Sequence, residues 1–233
     1  MLNRASVFAT VLGAALLAAT SAHAAPINFV QNGDFSAGNT GFFTGYEFHD
    51  NDDGGYAPGN YSIETVANPW NRSFVTEGDH TTGDGYMFVG NGSESPEIVW
   101  RQTVTGLSFN TDYYFEAFLM NLCCQSLVRP GPLLQFYAND VLLGAGMTDT
   151  PGLWTGVSNV WNSGALSSVT LSLKNASLVF DGNDFAIDDV YLGTESTVNP
   201  PVNPTPVPEP ASMFLVGTGV VALARRRYRS QQS

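Results

Sequence analysis

The chain has 233 residues, 43% of them hydrophobic, and a net charge of −12, enough for one domain of ordinary size around an apolar core. The charge is unevenly spread: residues 25–206 hold only four basic side chains (Arg72, Arg101, Arg129, Lys174) against twenty carboxylates. Such a surface repels nucleic acid and anionic lipid, and suits cations, neutral glycans or plain solubility.

Residues 1–24 read as a signal peptide. Arg4 supplies the positive start, residues 5–19 are mostly apolar, and Ala22-His23-Ala24 is a small-x-small cleavage pattern. From residue 25 to 193 short apolar stretches alternate with Gly, Asn, Asp and Pro turns. The pattern predicts strands over residues 27–31, 61–67, 86–89, 98–104, 112–122, 133–138, 141–143, 154–161, 169–174 and 185–192. No segment carries a 3.6-residue apolar period, so the expected class is all-β, an antiparallel two-sheet jelly-roll sandwich.

Two of these stretches carry finer information. In residues 169–174, Val169, Leu171 and Leu173 alternate with Thr170, Ser172 and Lys174, as in a strand with one wet face. In residues 185–192 the large apolar side chains fall at 185 and 187 and then at 190 and 192. The parity slips at Asp188-Asp189, which requires a bulge if both halves are to face the core. Asn139-Asp140 reads as a hairpin turn. Cys123 and Cys124 are adjacent, which leaves a vicinal disulfide, two thiols or an intermolecular bridge open.

Past residue 193 the composition changes to a Pro-rich spacer over 194–206, with prolines at 200, 201, 204 and 206. Residues 207–233 then form a tail: Val207-Pro208-Glu209-Pro210, an apolar stretch expected to be a short helix, and the cluster Arg225-Arg226-Arg227. The apolar run of 211–224 would span about 21 Å as a helix, short of roughly 30 Å of hydrocarbon. It suits a transient inner-membrane hold better than a permanent anchor.

Chemistry-bearing candidates are few. Asp50-Asn51-Asp52-Asp53-Gly54-Gly55 begins like a calcium loop, but the twelfth position is Tyr61 rather than Glu, so an EF-hand is excluded. Sugar stacking needs exposed aromatic platforms; Tyr46, Tyr61, Trp154 and Trp161 are candidates, and Tyr56 and Trp70, set among Gly, Pro and Asn, are the preferred ones. Three histidines, with no nucleophile elbow or metalloprotease helix, give no support to an enzyme.

Two resemblances add to this reading. Asn32-Gly33-Asp34-Phe35, Arg101-Gln102-Thr103-Val104, Asp112-Tyr113-Tyr114-Phe115 and Asp184-Phe185-Ala186-Ile187-Asp188-Asp189-Val190 resemble the galactose-binding-like jelly rolls, CenC-type carbohydrate-binding modules among them. The resemblance implies glycan binding and a structural calcium where the first and last strands meet, held by Asp34, Asp188 and Asp189. Ser36 stands where many relatives carry Glu. The bland alternative is that these carboxylates bond turn amides and stabilise the bulge. The tail resembles the PEP-CTERM sorting signal, with Val207, Pro208, Glu209, Pro210, Arg225, Arg226 and Arg227 as its matching residues. That implies processing by an exosortase near 208–210 and export linked to exopolysaccharide or biofilm matrix. The expected function is a non-catalytic, glycan-binding surface protein. The alternatives are a structural or adhesive protein with protein partners and, further off, a secreted glycan hydrolase.

Overall fold

The computed structural model describes residues 26–50, 57–124, 131–147, 149–179 and 182–199. The signal peptide, Tyr56 and the sorting tail with its apolar stretch lie outside them. Among the described residues no helix is long and apolar enough to cross a membrane.

Among the described residues ten strands form two sheets. They are β1 (Glu47–Phe48), β2 (Asn60–Glu64), β3 (Met87–Gly90), β4 (Ile98–Thr105), β5 (Asp112–Asn121), β6 (Leu133–Ala138), β7 (Val141–Met147), β8 (Thr155–Asn162), β9 (Ser168–Asn175) and β10 (Phe185–Gly193). One sheet runs β1-β2-β3-β10-β5-β8 and the other β4-β9-β6-β7. All pairings are antiparallel except β1 with β2. The expected two-sheet sandwich is therefore the fold. Residues 27–31, expected as a strand, instead run alongside β10 with few ladder bonds: Phe29 N donates to Leu192 O, and Leu192 N donates to the Asn28 side chain.

The two-residue period does the sorting. Val169, Leu171 and Leu173 of β9, Leu134 and Phe136 of β6, and Phe115, Ala117 and Leu119 of β5 point into one core between the sheets. Asn139 and Asp140 both take positive φ, 48° and 63°, and close the β6–β7 hairpin as the turn residues predicted. The bulge is also where the parity slip puts it: the β10–β5 register shifts between Asp188 and Tyr191, and Asp189 sits at φ 48°. It brings Ile187 and Val190 into the same core.

A second apolar cluster covers the outer face of the six-stranded sheet. Met87, Val89, Met120, Leu122 and Ala186 turn outward and are roofed by Trp70, Phe74 and Val75. Trp70 belongs to a one-turn helix, α1 (Ala67–Trp70). Cys123 and Cys124, at the margin of this cluster, are joined as a vicinal disulfide.

The packed domain also continues past residue 193. Glu116 on β5 is fully buried, and its carboxylate accepts hydrogen bonds from Ser158, Ser196, the Thr197 amide and hydroxyl, and the Val198 amide. Burial alone would push this carboxyl up, but the hydrogen bonds of Ser158, Ser196 and Thr197 hold it below the ordinary glutamate value. The spacer expected from residue 194 thus begins as a strap clamped onto the sheet.

Candidate functional site

Two of the predicted metal residues, Asp34 and Asp189, line one cavity where the chain's first segment crosses the β10 bulge, and the third, Asp188, is buried. Gly33 lies so close to Val190 that a Cβ there would fall 2.0 Å from the Val190 carbonyl oxygen, and Val190 N donates back to Gly33 O at 2.9 Å. This close approach explains the glycine in Asn32-Gly33-Asp34. Asn32 fixes the turn around it, donating to Gly38 O and Thr40 O and accepting from Ala37 N. A cavity of about 550 Å³ opens here, with Asp34, Asp189, His80, Phe118 and Thr197 on its wall.

Sequence reasoning did not foresee the third participant, the loop before β3. His80 N donates to Asp188 Oδ2 at 2.9 Å, and His80 Nδ1 lies 2.7 Å from Asp189 Oδ2. Thr81 Oγ1 donates to both oxygens of Asp189 at 2.8 Å. The imidazole stacks on Phe118 at 3.5 Å between ring centroids and meets the edge of Trp154. The loop is itself closed by Asp79, which accepts from the amides of Thr82 and Gly85 and from the Thr82 hydroxyl. Burial works against its ionised form, yet these bonds hold Asp79 below the ordinary aspartate value. Asp188 goes the other way. It is wholly buried, its other oxygen accepts from the Asp189 amide, and burial together with the neighbouring Asp189 charge pushes it up to about 7.

The contacts these residues make need no metal ion to hold them. Asp34 Oδ1 accepts from the amide and hydroxyl of Ser36. The oxygens of Asp188 and Asp189 are taken by amides, a hydroxyl and an imidazole. Among the described residues no three His, Cys, Asp or Glu side chains gather as a metal-holding group. These contacts describe a latch tying the 79–85 loop to the bulge. Nor do they describe a catalytic triad, since the Thr81 hydroxyl donates to the carboxylate instead of facing the imidazole as a nucleophile would.

Of the aromatic platforms, Trp70 requires correction. Its ring is 0% exposed and its indole N–H donates to His49 O, so it roofs the outer cluster and presents no face to a ligand. Tyr46 and Tyr61 are likewise buried, both at 5%. Trp154 and Trp161 are half-buried and pack against the two clusters.

Among the described residues nothing roofs the outer face of the four-stranded sheet in this way. Residue 43 pairs with residue 101 at the β4 edge, exchanging hydrogen bonds of 2.9 and 2.8 Å. The register then runs Arg101–Ser172–Tyr137–Leu142 across β4, β9, β6 and β7. A row of side chains therefore crosses the face: Phe43, 49% exposed, Arg101 and Tyr137, both partly exposed, and Leu142, 50% exposed, with Ser172 of β9 buried at 2% between Arg101 and Tyr137. The Arg101 guanidinium lies 4.2 Å from the centre of the Phe43 ring, and Lys174 Nζ lies 4.3 Å from that of Tyr137. Polar groups flank the row. Thr103 and Thr170 share a 2.9 Å hydroxyl contact, and Tyr137 O–H donates to Gln135 at 2.7 Å. Beside Phe43 the row drops into a groove of about 500 Å³, where the Gln102 amide is locked by Gln31 and Gly41.

Residues 206–229 match the PEP-CTERM protein-sorting motif, which marks the chain as exported and sorted to the cell surface. No curated protein matches the chain. Among solved structures, the sugar-binding EclA C-terminal domain is 17% identical, with a TM-score of 0.36 over 41% of this chain and 66% of that one. The TmCBM61 structure in complex with β-1,4-galactotriose is 13% identical, TM-score 0.46, over 72% of this chain and 99% of that one. A family 16 carbohydrate-binding module is 16% identical, TM-score 0.45, over 71% and 99%.

Proposed function

We propose that this exported protein is a non-catalytic glycan-binding protein of the cell surface, and that it takes its ligand on the open face of the four-stranded sheet. The observation that supports this reading is the cross-strand row itself: two partly exposed aromatic rings, Phe43 and Tyr137, three strands apart, with hydroxyl, amide and cationic groups between and beside them. Three strand spacings amount to roughly 14 Å, an extended platform for several sugar rings. Apolar sugar faces pack on the rings while Gln135, Thr103, Thr170 and Arg101 hydrogen-bond hydroxyls. The sorting motif supports a matrix role, in which the chain meets exopolysaccharide at the cell boundary and an exosortase processes its tail.

Affinity electrophoresis of the purified protein through gels containing neutral and acidic polysaccharides tests the reading. Retardation by at least one polysaccharide, lost in Tyr137→Ala, is the expected result. Unretarded migration of folded protein in every gel overturns it.

One observation favours a second reading, self-association. β7 is an edge strand, with Val141 63% and Leu142 50% exposed, and an apolar edge can pair with another copy. Sugar-independent dimerisation that rises with concentration and disappears in Leu142→Lys would select it.

A further inference from the structure

We propose that the open face selects acidic glycans, with the Arg101 guanidinium as the anchor for a sugar carboxylate; the inference rests on the glycan reading and narrows its ligand class. It starts from where the domain keeps its cations. Residues 25–206 contain four basic side chains in an otherwise acidic stretch. Two of them, Arg101 and Lys174, stand on this one face. Arg72 is exposed elsewhere, after α1, and Arg129 lies outside the described residues. A domain with so many carboxylates would be expected to neutralise its few cations with them. Among the described residues, though, no carboxylate pairs with Arg101, and the Lys174 partner, Asp140, is a 3.8 Å contact whose carboxylate is 91% exposed.

The geometry suits a carboxylate more than a bare hydroxyl. The Phe43 ring lies 4.2 Å from the Arg101 guanidinium carbon, a contact that consumes none of its N–H donors and leaves the planar fork for a bidentate partner. A sugar ring seated beside Phe43 would bring an equatorial carboxylate next to that fork. Lys174, on the neighbouring strand with its Nζ against the Tyr137 ring, offers a second positive point, so a polymer with recurring acid groups meets both. The acidic remainder of the domain does not cancel this attraction. The 79–85 loop and the bulge belong to the opposite sheet, and charges beyond about 8 Å are largely screened at physiological ionic strength. The local exception is Asp140, which competes for Lys174.

The test compares tetragalacturonate with its full methyl ester, which keeps the rings and linkages and removes the charge, by titration calorimetry on the purified protein. The expected result is binding of the acid at least about tenfold tighter than the ester, weakening as salt is raised. Arg101→Gln should erase the preference and Arg101→Lys restore only part of it. Asp140→Asn, which the turn's positive φ tolerates, should strengthen binding of the acid. Equal affinity for acid and ester overturns the inference while leaving the glycan reading in place. Binding of neutral glycans but of neither galacturonate form does the same. Failure of folded protein to bind any glycan removes the glycan reading, and this inference with it.

Discussion

The outer face of the six-stranded sheet is roofed by Trp70, Phe74 and Val75, latched by His80 and Thr81 to the bulge, and strapped by residues 196–199 onto Glu116. Among the described residues the outer face of the four-stranded sheet carries none of these devices and presents partly exposed rings and cations instead. Both faces spring from the same two-residue alternation, so the difference lies in what each alternate position holds. Met87, Val89, Met120 and Ala186 demand a cover. Gln135, Thr103, Thr170 and Lys174 keep contact with water. The first face contributes stability, and the second is the proposed recognition face.

Substitutions should separate the faces cleanly. The largest effect is expected at Trp70→Ala, which empties a fully buried site and should cost about 3–5 kcal/mol in denaturant unfolding. Tyr137→Ala, half-buried on the open face, should cost about 1 kcal/mol or less while abolishing retardation by polysaccharide. If Tyr137→Ala destabilised as much as Trp70→Ala, the faces would not differ as described. Next comes Glu116→Gln, expected to cost about 2 kcal/mol by weakening charge-assisted bonds to the strap and to make residues 196–199 accessible to protease. His80→Ala should cost about 1–2 kcal/mol by removing the imidazole's contacts with Asp189 and Phe118, with glycan binding unchanged.

The carboxylates on the sealed side give opposed pH dependences. Asp188, raised to about 7 from an unfolded value near 4, favours the fold most when protonated. Its contribution is full below pH 4, declines as pH rises to 7, and is constant above, with a slope of at most about 1.4 kcal/mol per unit. Asp79 and Glu116, both lowered, contribute above pH 4 and lose their contribution as pH falls through their folded values. In Asp188→Asn the decline between pH 4 and 7 should vanish and the loss in acid should remain. The smallest effect is expected from calcium removal: with the bulge oxygens occupied by the chain's own donors, a chelator should leave the melting temperature unchanged. A fall of several degrees would put a cation where the latch is.

Much of the scaffold was legible in the sequence because burial imposes a visible period. The β9 alternation, the Asn139-Asp140 turn and the parity slip at Asp188-Asp189 each translated into structure. What escaped was anything requiring a second layer. Trp70, set among Pro, Asn and Arg, reads as a loop residue, and only the outward apolar positions of β3, β5 and β10 show that it is a roof. His80 lies 108 residues from its partner Asp188, and no local pattern links them. Glu116 looks like a wet-face residue until residues 196–199 fold over it. On the open face the signal was present but faint. Tyr137 follows Phe136 in a strand apolar on both sides, so its outward direction was hidden. Arg101 and Lys174, two of the four cations between residues 25 and 206, were the available clue.

The most direct test probes one glycan array with three proteins: wild type, Tyr137→Ala and His80→Ala. The expected result is a wild-type signal that Tyr137→Ala loses and His80→Ala keeps, both variants being folded. A signal kept by Tyr137→Ala and lost by His80→Ala would move recognition to the cavity beside the bulge and contradict the assignment of the open sheet as the binding face.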